Sequence, residues 1–476
     1  MRKTVTFFYL SLVLLFLNSN VLAKNWEDLF DFPKFTNTKI SPDGNHLAVS
    51  ALVNNKMTLV FLERKTMKMV GAAKFSGNLE VGHYHWVNNE RVVINIVERF
   101  PWLEQPVSYG ELYAVNLNGS KNKMIYGYRS GEMQTGSHIK KKEATKGWAE
   151  IIDILPEDKK HILISSTPMS DTGERLASVF KLNVYTGRIK NKLGKSPVPR
   201  ARFITDELGN LRALAGISSY KETQLYVRKE AEWHKVPTGK VGKNVNPLSI
   251  STSGEYLYTI DDHNQDLTGI FKLNLEDFSY QSVFTDKKVD VSHVEMTTNG
   301  RSAYGVKLDD GYPSYVILDK KVEEAKIFKD LLKSFPYSEV SITSKSENGK
   351  FYIVKASSDI DPGNLYLYDQ KKKKLQFLFK YKPKFKSSDF TQVEPIQLKS
   401  SDGKLINGYF TQASTTKKGE VAPVVVLVHG GPHGPRDLWQ FSSEIQYLAL
   451  NGYSVLQVNY RGSGGYGSNF ESAGYR

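Results

Sequence analysis

Cysteine is absent from this 476-residue chain. Its absence excludes disulfide bonds, metal sites built on thiolates and lipid attachment through cysteine. Long basic runs are also scarce, although the formal net charge is +14. The one long run, Lys371–Lys374, lies between two apolar segments, where lysines usually solvate a turn, and no nucleic-acid-binding motif accompanies it. We therefore expect no nucleic-acid partner.

The first 23 residues carry the pattern of an export signal. A basic start, an apolar core over Val5–Leu17 and a small residue at Ala23 follow in the expected order. We expect cleavage after Ala23 and a periplasmic or secreted mature chain. The alternative is an uncleaved membrane anchor, because Thr4–Ala23 is just long enough to span a bilayer.

Length and composition predict a strand-rich protein of more than one domain. At 476 residues, the chain exceeds the size at which a single hydrophobic core stops growing. Aromatic residues make up 12% of it, with 26 tyrosines and 24 phenylalanines. Because strands favour these residues, the composition favours a mainly β class.

One pattern recurs through the first 390 residues: an alternating apolar strand, a polar turn and a second strand. Such hairpins begin at seven roughly regular positions, which are Leu59, Leu112, Val179, Gln224, Ile270, Tyr315 and Asn364. A repeat of this length predicts a seven-bladed β-propeller with four strands in each blade, over residues 24–390. A generic all-β protein with coincidental spacing is the alternative.

Short turns support the propeller. Ser41–Gly44, Thr252–Gly254, Thr298–Gly300 and Glu347–Gly349 each precede an apolar segment. Their glycine and asparagine residues supply the positive φ that tight hairpins need. The last three turns recur in phase with the hairpins, as repeated blades require.

His83 and His85 form a His-x-His pair within the repeat region. Alternate residues of a strand share a face, so the pair could contribute two ligands to a metal ion. A metal site needs further ligands, and none nearby is convincing. We therefore expect a structural or surface role for the pair and no metal.

A second domain is predicted over residues 391–476. Val393–Leu398 and Leu405–Phe410 alternate on either side of a turn and predict an antiparallel hairpin. Pro423–Val428 is a β-branched run, which predicts a strand buried on both faces. An amphipathic helix and a strand over Tyr453–Tyr460 follow, so this part should contain a βαβ unit with parallel strands.

The most informative segment is VVVLVHGGP at residues 424–432. Its apolar run predicts a strand, and the glycine pair and proline predict a sharp turn at the strand's end. In enzymes that transfer acyl groups, such a turn can aim backbone N–H groups at a developing oxyanion. The glycine-rich segment at 461–467 suggests phosphate binding instead, but it has neither the P-loop lysine nor the dinucleotide-binding spacing.

These segments together resemble the prolyl oligopeptidase family, in its acylaminoacyl-peptidase and dipeptidyl-peptidase-like branch. The resemblance rests on the SSDG hairpin, the strand ending in HGGPHGP and the strand ending in NYRGSGGYG, and it is specific at residues 429–435 and 459–467. It implies an N-terminal propeller joined to an α/β-hydrolase domain. It also implies a cofactor-free serine peptidase that cleaves short peptides with a Ser–His–Asp triad.

The resemblance assigns roles to five residues. Gly431 would supply one backbone N–H to the oxyanion, and Gly430 and Pro432 would shape the turn. His429 would structure the turn and not act as the base, because α/β-hydrolases place the catalytic histidine last in the chain. Arg461 would be a structural ion-pairing residue near the site.

The nucleophile motif Gly-x-Ser-x-Gly occurs nowhere in residues 1–476. In this fold the motif lies on a later strand-to-helix turn, and the aspartate and histidine of the triad follow it. We therefore expect a fragment that carries the propeller and the first part of the hydrolase domain but no triad. A propeller that binds peptides or partners without catalysis is the alternative. Substrate preference and oligomeric state stay open.

The chain over residues 24–476 should lack the peptidase activity of its family, because loss of triad members costs several orders of magnitude in rate. Release of p-nitroaniline from dipeptidyl and acyl-aminoacyl substrates measures this, with heat-inactivated protein as the control. Turnover at an enzyme-like rate would contradict the prediction.

Overall fold

The computed structural model describes residues 26–131, 143–170, 175–218, 222–415, 421–431 and 433–475. The predicted export signal at 1–23 lies outside the described residues, and so does Pro432. Seven consecutive antiparallel sheets are followed by a four-stranded mixed sheet. The predicted mainly β fold, a seven-bladed propeller followed by the start of an α/β-hydrolase sheet, is confirmed.

Each of the first four blades contains four strands that are neighbours in the chain. Blades 1 and 2 consist of β1 Phe35–Ile40, β2 His46–Val53, β3 Lys56–Glu63, β4 Met69–Ala73, β5 Leu79–Trp86, β6 Arg91–Glu98, β7 Val107–Asn116 and β8 Lys123–Tyr126. Blades 3 and 4 consist of β9 Gly147–Asp153, β10 His161–Pro168, β11 Ser178–Asn183, β12 Ile189–Lys195, β13 Arg202–Thr205, β14 Leu211–Ile217, β15 Thr223–Lys229 and β16 Glu232–Lys235. The predicted hairpins form the third and fourth strands of these blades.

The last three blades follow the same chain order. Blades 5 and 6 consist of β17 Asn246–Ile250, β18 Tyr256–Asp261, β19 Gly269–Asn274, β20 Tyr280–Phe284, β21 Val291–Met296, β22 Ala303–Asp310 and β23 Tyr312–Ile317. Blade 7 consists of β24 Glu339–Lys345, β25 Phe351–Ser358, β26 Asp361–Asp369 and β27 Lys374–Lys380. Blade 6 is therefore one strand short of the predicted four.

Helix α1, Glu323–Ser334, follows the three strands of blade 6, where the sequence analysis predicted the second strand of a hairpin. Ala325, Phe328 and Leu331 are buried and recur every third residue, which is a helical and not a strand period. The prediction of a strand here was wrong because the helical periodicity of this segment overrides the regularity of the repeat.

The propeller ring closes by side-chain packing between blades 1 and 7. Leu47 and Val49 of the first blade pack against Ile353 of the last. The Ile40 N–H also donates to the Ser344 hydroxyl over 3.1 Å. Each blade is built from consecutive strands, so closure depends on this packing and not on an exchanged strand.

The sheet that follows the propeller, called the hydrolase sheet below, has the strand order β28-β29-β31-β30. Its strands are β28 Val393–Lys399, β29 Leu405–Thr411, β30 Val424–Leu427 and β31 Ser454–Asn459. Strands β28 and β29 are antiparallel, whereas β30 and β31 are parallel. Helix α2, Ser443–Leu450, connects the parallel pair, and α3, Ser468–Ser472, follows it. The predicted hairpin and βαβ unit are therefore present.

Strand β30 differs from its prediction as a strand buried on both faces. Val424, Val426 and Val428 are 52%, 57% and 60% exposed. Among the described residues, β30 has only β31 as a strand neighbour and so lies at the sheet edge. An edge position leaves the side chains of one face uncovered, whatever their β-propensity.

The 3-10 helix Trp26–Phe30 contacts both the propeller and the part of the chain that forms the hydrolase sheet. The Leu29 carbonyl accepts 2.6 Å hydrogen bonds from the Ser443 hydroxyl of α2 and from Lys382, which follows blade 7. The Gln446 side chain, fully buried in α2, donates to the Thr391 carbonyl over 2.8 Å. A boundary between residues 390 and 391 falls in this packed segment and stays a prediction. Within the described part of the chain, no helix is long and apolar enough to cross a membrane.

Glu295, on β21, is a buried carboxylic acid with an altered titration. It is 7% exposed, and burial raises its pKa to about 7, with Lys307 opposing the shift and Glu339 adding to it. Because the pKa is higher in the folded than in the unfolded state, protonation favours folding. The stability it contributes is complete below about pH 4.5 and is lost as the pH rises through about 7.

Glu295→Gln should abolish this loss, because glutamine stays neutral at every pH. We expect its unfolding free energy to exceed that of the wild type by roughly 2 kcal/mol at pH 8 and to differ little at pH 4.5. Denaturant unfolding at the two pH values measures the difference, and the exposed Glu232→Gln is the matched control. The same pH dependence in all three proteins would contradict the prediction.

Candidate active site

The turn after β30 and the loop after β31 lie side by side, because parallel strands place their carboxyl ends at the same sheet edge. The Gly434 N–H donates to the Gly462 carbonyl over 3.0 Å, and the Gly464 N–H donates to the Gly434 carbonyl over 3.1 Å. A Cβ on Gly464 would lie 2.5 Å from that carbonyl oxygen. Only glycine therefore permits the contact that joins the two loops.

His429 is fixed at this junction through both ring nitrogens. Its Nδ1 lies 2.9 Å from the Gly430 carbonyl oxygen and its Nε2 lies 2.8 Å from the Ser463 hydroxyl. A carbonyl only accepts, so Nδ1 carries the proton and Nε2 of the neutral ring accepts from Ser463. The ring also stacks on Tyr460, with centroids 4.4 Å apart. This geometry suits a structuring role, which stays a prediction.

Gly431 lies at the exposed tip of the turn with a φ of +148°. A Cβ there would lie 3.0 Å from the His433 nitrogen, in a backbone conformation that L-residues avoid. No acceptor among the described residues takes a hydrogen bond from the Gly431 N–H. The N–H thus has no hydrogen-bond acceptor in the described part of the chain. Gly430 precedes it and is also exposed.

Arg461 forms an ion pair with Asp402 across the end of the sheet. The Nη1–Oδ2 distance is 2.7 Å, and the two side chains are 44% and 40% exposed. A hydrogen bond from the Ser400 side chain, together with Arg461, holds the pKa of Asp402 below its usual range. Pairs this exposed contribute little stability, so the contact mainly orients the loop against the β28–β29 turn.

The sequence analysis missed a polar network behind the turn. Asn459 is fully buried, and its side chain accepts from the Asp437 N–H over 2.7 Å and donates to the Asp437 carbonyl over 3.0 Å. Gln457 donates to the Asp437 carboxylate over 2.7 Å. Burial raises the pKa of Asp437. The available signal was the pair of amide side chains at alternate positions of a largely apolar strand, since buried amides need partners.

The glycine-rich loop also docks on the propeller. Asp266 accepts from the Asn469 N–H over 2.7 Å, and Asp290 accepts from the Gly467 N–H over 3.4 Å. These two backbone N–H groups already donate to carboxylates, so they are not free to bind a phosphate, and the phosphate-binding alternative is not favoured. The loop therefore joins the turn to blades 5 and 6.

Arg436 links the turn itself to blade 6. Its Nη2 lies 3.8 Å from the Asp309 carboxylate, and its guanidinium lies 5.2 Å from the centre of the Tyr466 ring. The side chains of Arg436 and Asp309 are 10% and 4% exposed, so the ion pair is largely shielded from solvent. No sequence signal connected these residues, which lie far apart in the chain.

His83 and His85 lie away from this site, on β5 of blade 2. His83 is exposed and His85 is half-buried. Burial, Lys39 and then His83 lower the pKa of His85 to about 3. Across the described ranges, no group of three or more histidine, aspartate or glutamate side chains is arranged to hold a metal ion.

A propeller, a parallel strand pair and an oxyanion-type turn together define the class of propeller-bearing α/β-hydrolases. A model of the prolyl oligopeptidase family matches residues 439–476. The chain is 25% identical over 459 residues to dipeptidyl aminopeptidase BIII of Pseudoxanthomonas mexicana, covering 94% of this chain and 62% of that protein. It is 22% identical over 489 residues to dipeptidyl peptidase family member 6 of Caenorhabditis elegans, with the same shares covered.

Solved structures show the same fold. A puromycin-hydrolysing peptidase of Mycobacterium tuberculosis superposes with a TM-score of 0.61 at 15% identity, covering 95% of this chain and 70% of that one. The chain spans 62% of the length of the two curated relatives. The resemblance to the prolyl oligopeptidase family of serine peptidases, predicted from the motifs, is confirmed.

Ser463→Ala should free the imidazole of His429, because Nε2 loses its hydrogen-bond partner. We expect a loss of about 1 kcal/mol in unfolding free energy. We also expect a change in the ¹⁵N chemical shift of His429 Nε2, measured by NMR. The exposed Ser472→Ala is the control. Unchanged His429 shifts in Ser463→Ala would show that this hydrogen bond does not hold the ring.

Proposed function

We propose that this chain is the N-terminal part of an exported serine peptidase that hydrolyses short peptides through an acyl-enzyme. The observation that supports this most is the Gly431 N–H. It lies at the carboxyl edge of a parallel strand pair, on a turn braced by His429 and the glycine-rich loop. In α/β-hydrolases, one oxyanion donor comes from a turn in this part of the fold.

The chemistry follows from that donor. When a serine oxygen attacks a peptide carbonyl, the carbonyl oxygen gains negative charge, and a preplaced N–H stabilises it. Loss of one such donor typically costs about 10²–10³ in rate. Since Gly-x-Ser-x-Gly is absent from residues 1–476, we propose that the nucleophile, base and orienting aspartate belong to sequence beyond this chain.

Short peptides are the substrate class that we propose. The two curated relatives are named as dipeptidyl peptidases, which supports release of small units from a chain end. A propeller set against the hydrolase sheet would admit short peptides and exclude folded proteins. The signal-like pattern at residues 1–23 supports export, with cleavage after Ala23.

A non-catalytic peptide-binding propeller is the second candidate, because no nucleophile motif occurs in residues 1–476. The site at the end of β30 favours the peptidase. A binding propeller needs neither a βαβ unit nor a glycine turn with an available N–H.

Extension of the reading frame beyond codon 476 separates the two candidates. We expect a continuing frame that encodes Gly-x-Ser-x-Gly, then aspartate and histidine, and an extended protein that reacts with a fluorophosphonate probe and cleaves dipeptidyl p-nitroanilides. Serine-to-alanine substitution at the encoded nucleophile is the control. A stop codon with no such motif downstream, or an extended protein that ignores the probe, would favour the binding propeller.

A further inference from the structure

A cavity of about 580 Å³ opens where blades 6 and 7 meet the hydrolase sheet. Its walls come from β23 and α1 of blade 6, the β25–β26 turn of blade 7 and the start of β28. Blade 6 has helix α1 in place of a fourth strand, and Leu332 of that helix and Phe335, which directly follows it, contribute to the wall. The cavity therefore coincides with the one blade that departs from the repeat in the described chain.

Five aromatic side chains take part in the lining. Tyr312, Tyr315, Phe335, Tyr337 and Trp439 all contribute. The rings of Tyr312 and Trp439 meet edge to face with centroids 5.9 Å apart. The Trp439 indole N–H donates to the Val393 carbonyl over 3.1 Å, which fixes its ring. The cavity thus presents a partly preordered set of π-faces.

Two carboxylates complete the lining. Asp359 is 3% exposed and accepts from the Val393 N–H over 2.7 Å, and Glu394 is exposed at the rim. The lining contains no lysine, arginine or histidine, although the whole chain carries a formal charge of +14. Asp359 is buried and bonded to the backbone, so the accessible carboxylate is Glu394. With Glu394 at the rim and no basic side chain in the lining, a positively charged ligand is complementary.

We propose that this cavity binds a small organic cation with an apolar body, of the alkylated ammonium class. Aromatic faces attract such cations through their quadrupoles, and quaternary ammonium groups need no hydrogen-bond acceptor. The volume falls within the range of small-molecule sites. A bare metal ion suits the cavity poorly, since it would require more oxygen ligands than two carboxylates supply.

The ligand would contact blade 6, blade 7 and the hydrolase sheet at the same time. It lies apart from the turn after β30, because none of His429, Gly431 and Ser463 lines the cavity. The site therefore does not depend on peptidase activity, and the absence of a triad does not affect its test.

Titration calorimetry of the purified protein with choline and with its uncharged isostere 3,3-dimethylbutan-1-ol tests the proposal. We expect saturable choline binding and an isostere that binds about tenfold more weakly, because only choline carries the charge. Equal affinities for the two compounds, or no saturable binding of choline, would overturn the proposal.

Two variants place the binding in this cavity. Glu394→Gln and Tyr337→Ala replace exposed side chains, so the fold should survive, and each should weaken choline binding by about threefold or more. Leu208→Ala, at an 80% exposed position on blade 4, is the matched control and should bind choline as the wild type does. Wild-type affinity in both cavity variants would refute the site.

Discussion

The close backbone contact between Gly434 and Gly464 is the constraint on which the candidate active site depends. It joins the turn after β30 to the loop after β31, and a side chain on Gly464 would collide with the Gly434 carbonyl. Ser463, which lies between Gly462 and Gly464 in the chain, then reaches His429 over 2.8 Å. The position of the Gly431 N–H therefore follows from the approach of two backbones at one sheet edge.

Local sequence patterns were enough to predict most of the propeller. Each blade is built from neighbouring strands, so alternation and turn chemistry carry its information within about 45 residues. Helix α1 escaped prediction because its segment was assigned by analogy with the other repeats. The exposure of β30 escaped as well, since a β-branched run indicates a strand but not the number of its neighbours.

The residues of the candidate active site also divide into those that could be predicted from local sequence and those that could not. His429, Gly430 and Gly431 could be assigned from the motif, because the turn's geometry is encoded in consecutive residues. The contact of the buried Asn459 with Asp437 could not, because the recognised motifs include Asn459 but not its partner Asp437. Contacts between the propeller and the candidate active site were the hardest to predict from the sequence. The hydrogen bond from Asn469 to Asp266 joins residues separated by 203 positions, and single-sequence patterns do not report such pairings.

Arg436 connects the turn after β30 to the propeller. Its guanidinium pairs with Asp309 of blade 6, and Asp309 is itself bound by Lys307 over 3.2 Å. Both members of the Arg436–Asp309 pair are nearly buried. Separation of the propeller from the hydrolase sheet would deprive Arg436 of this carboxylate, whereas Asp309 would keep Lys307. That cost opposes opening on the side of blade 6. The orientation of the turn after β30 thus depends both on the hydrolase sheet and on its contact with blade 6.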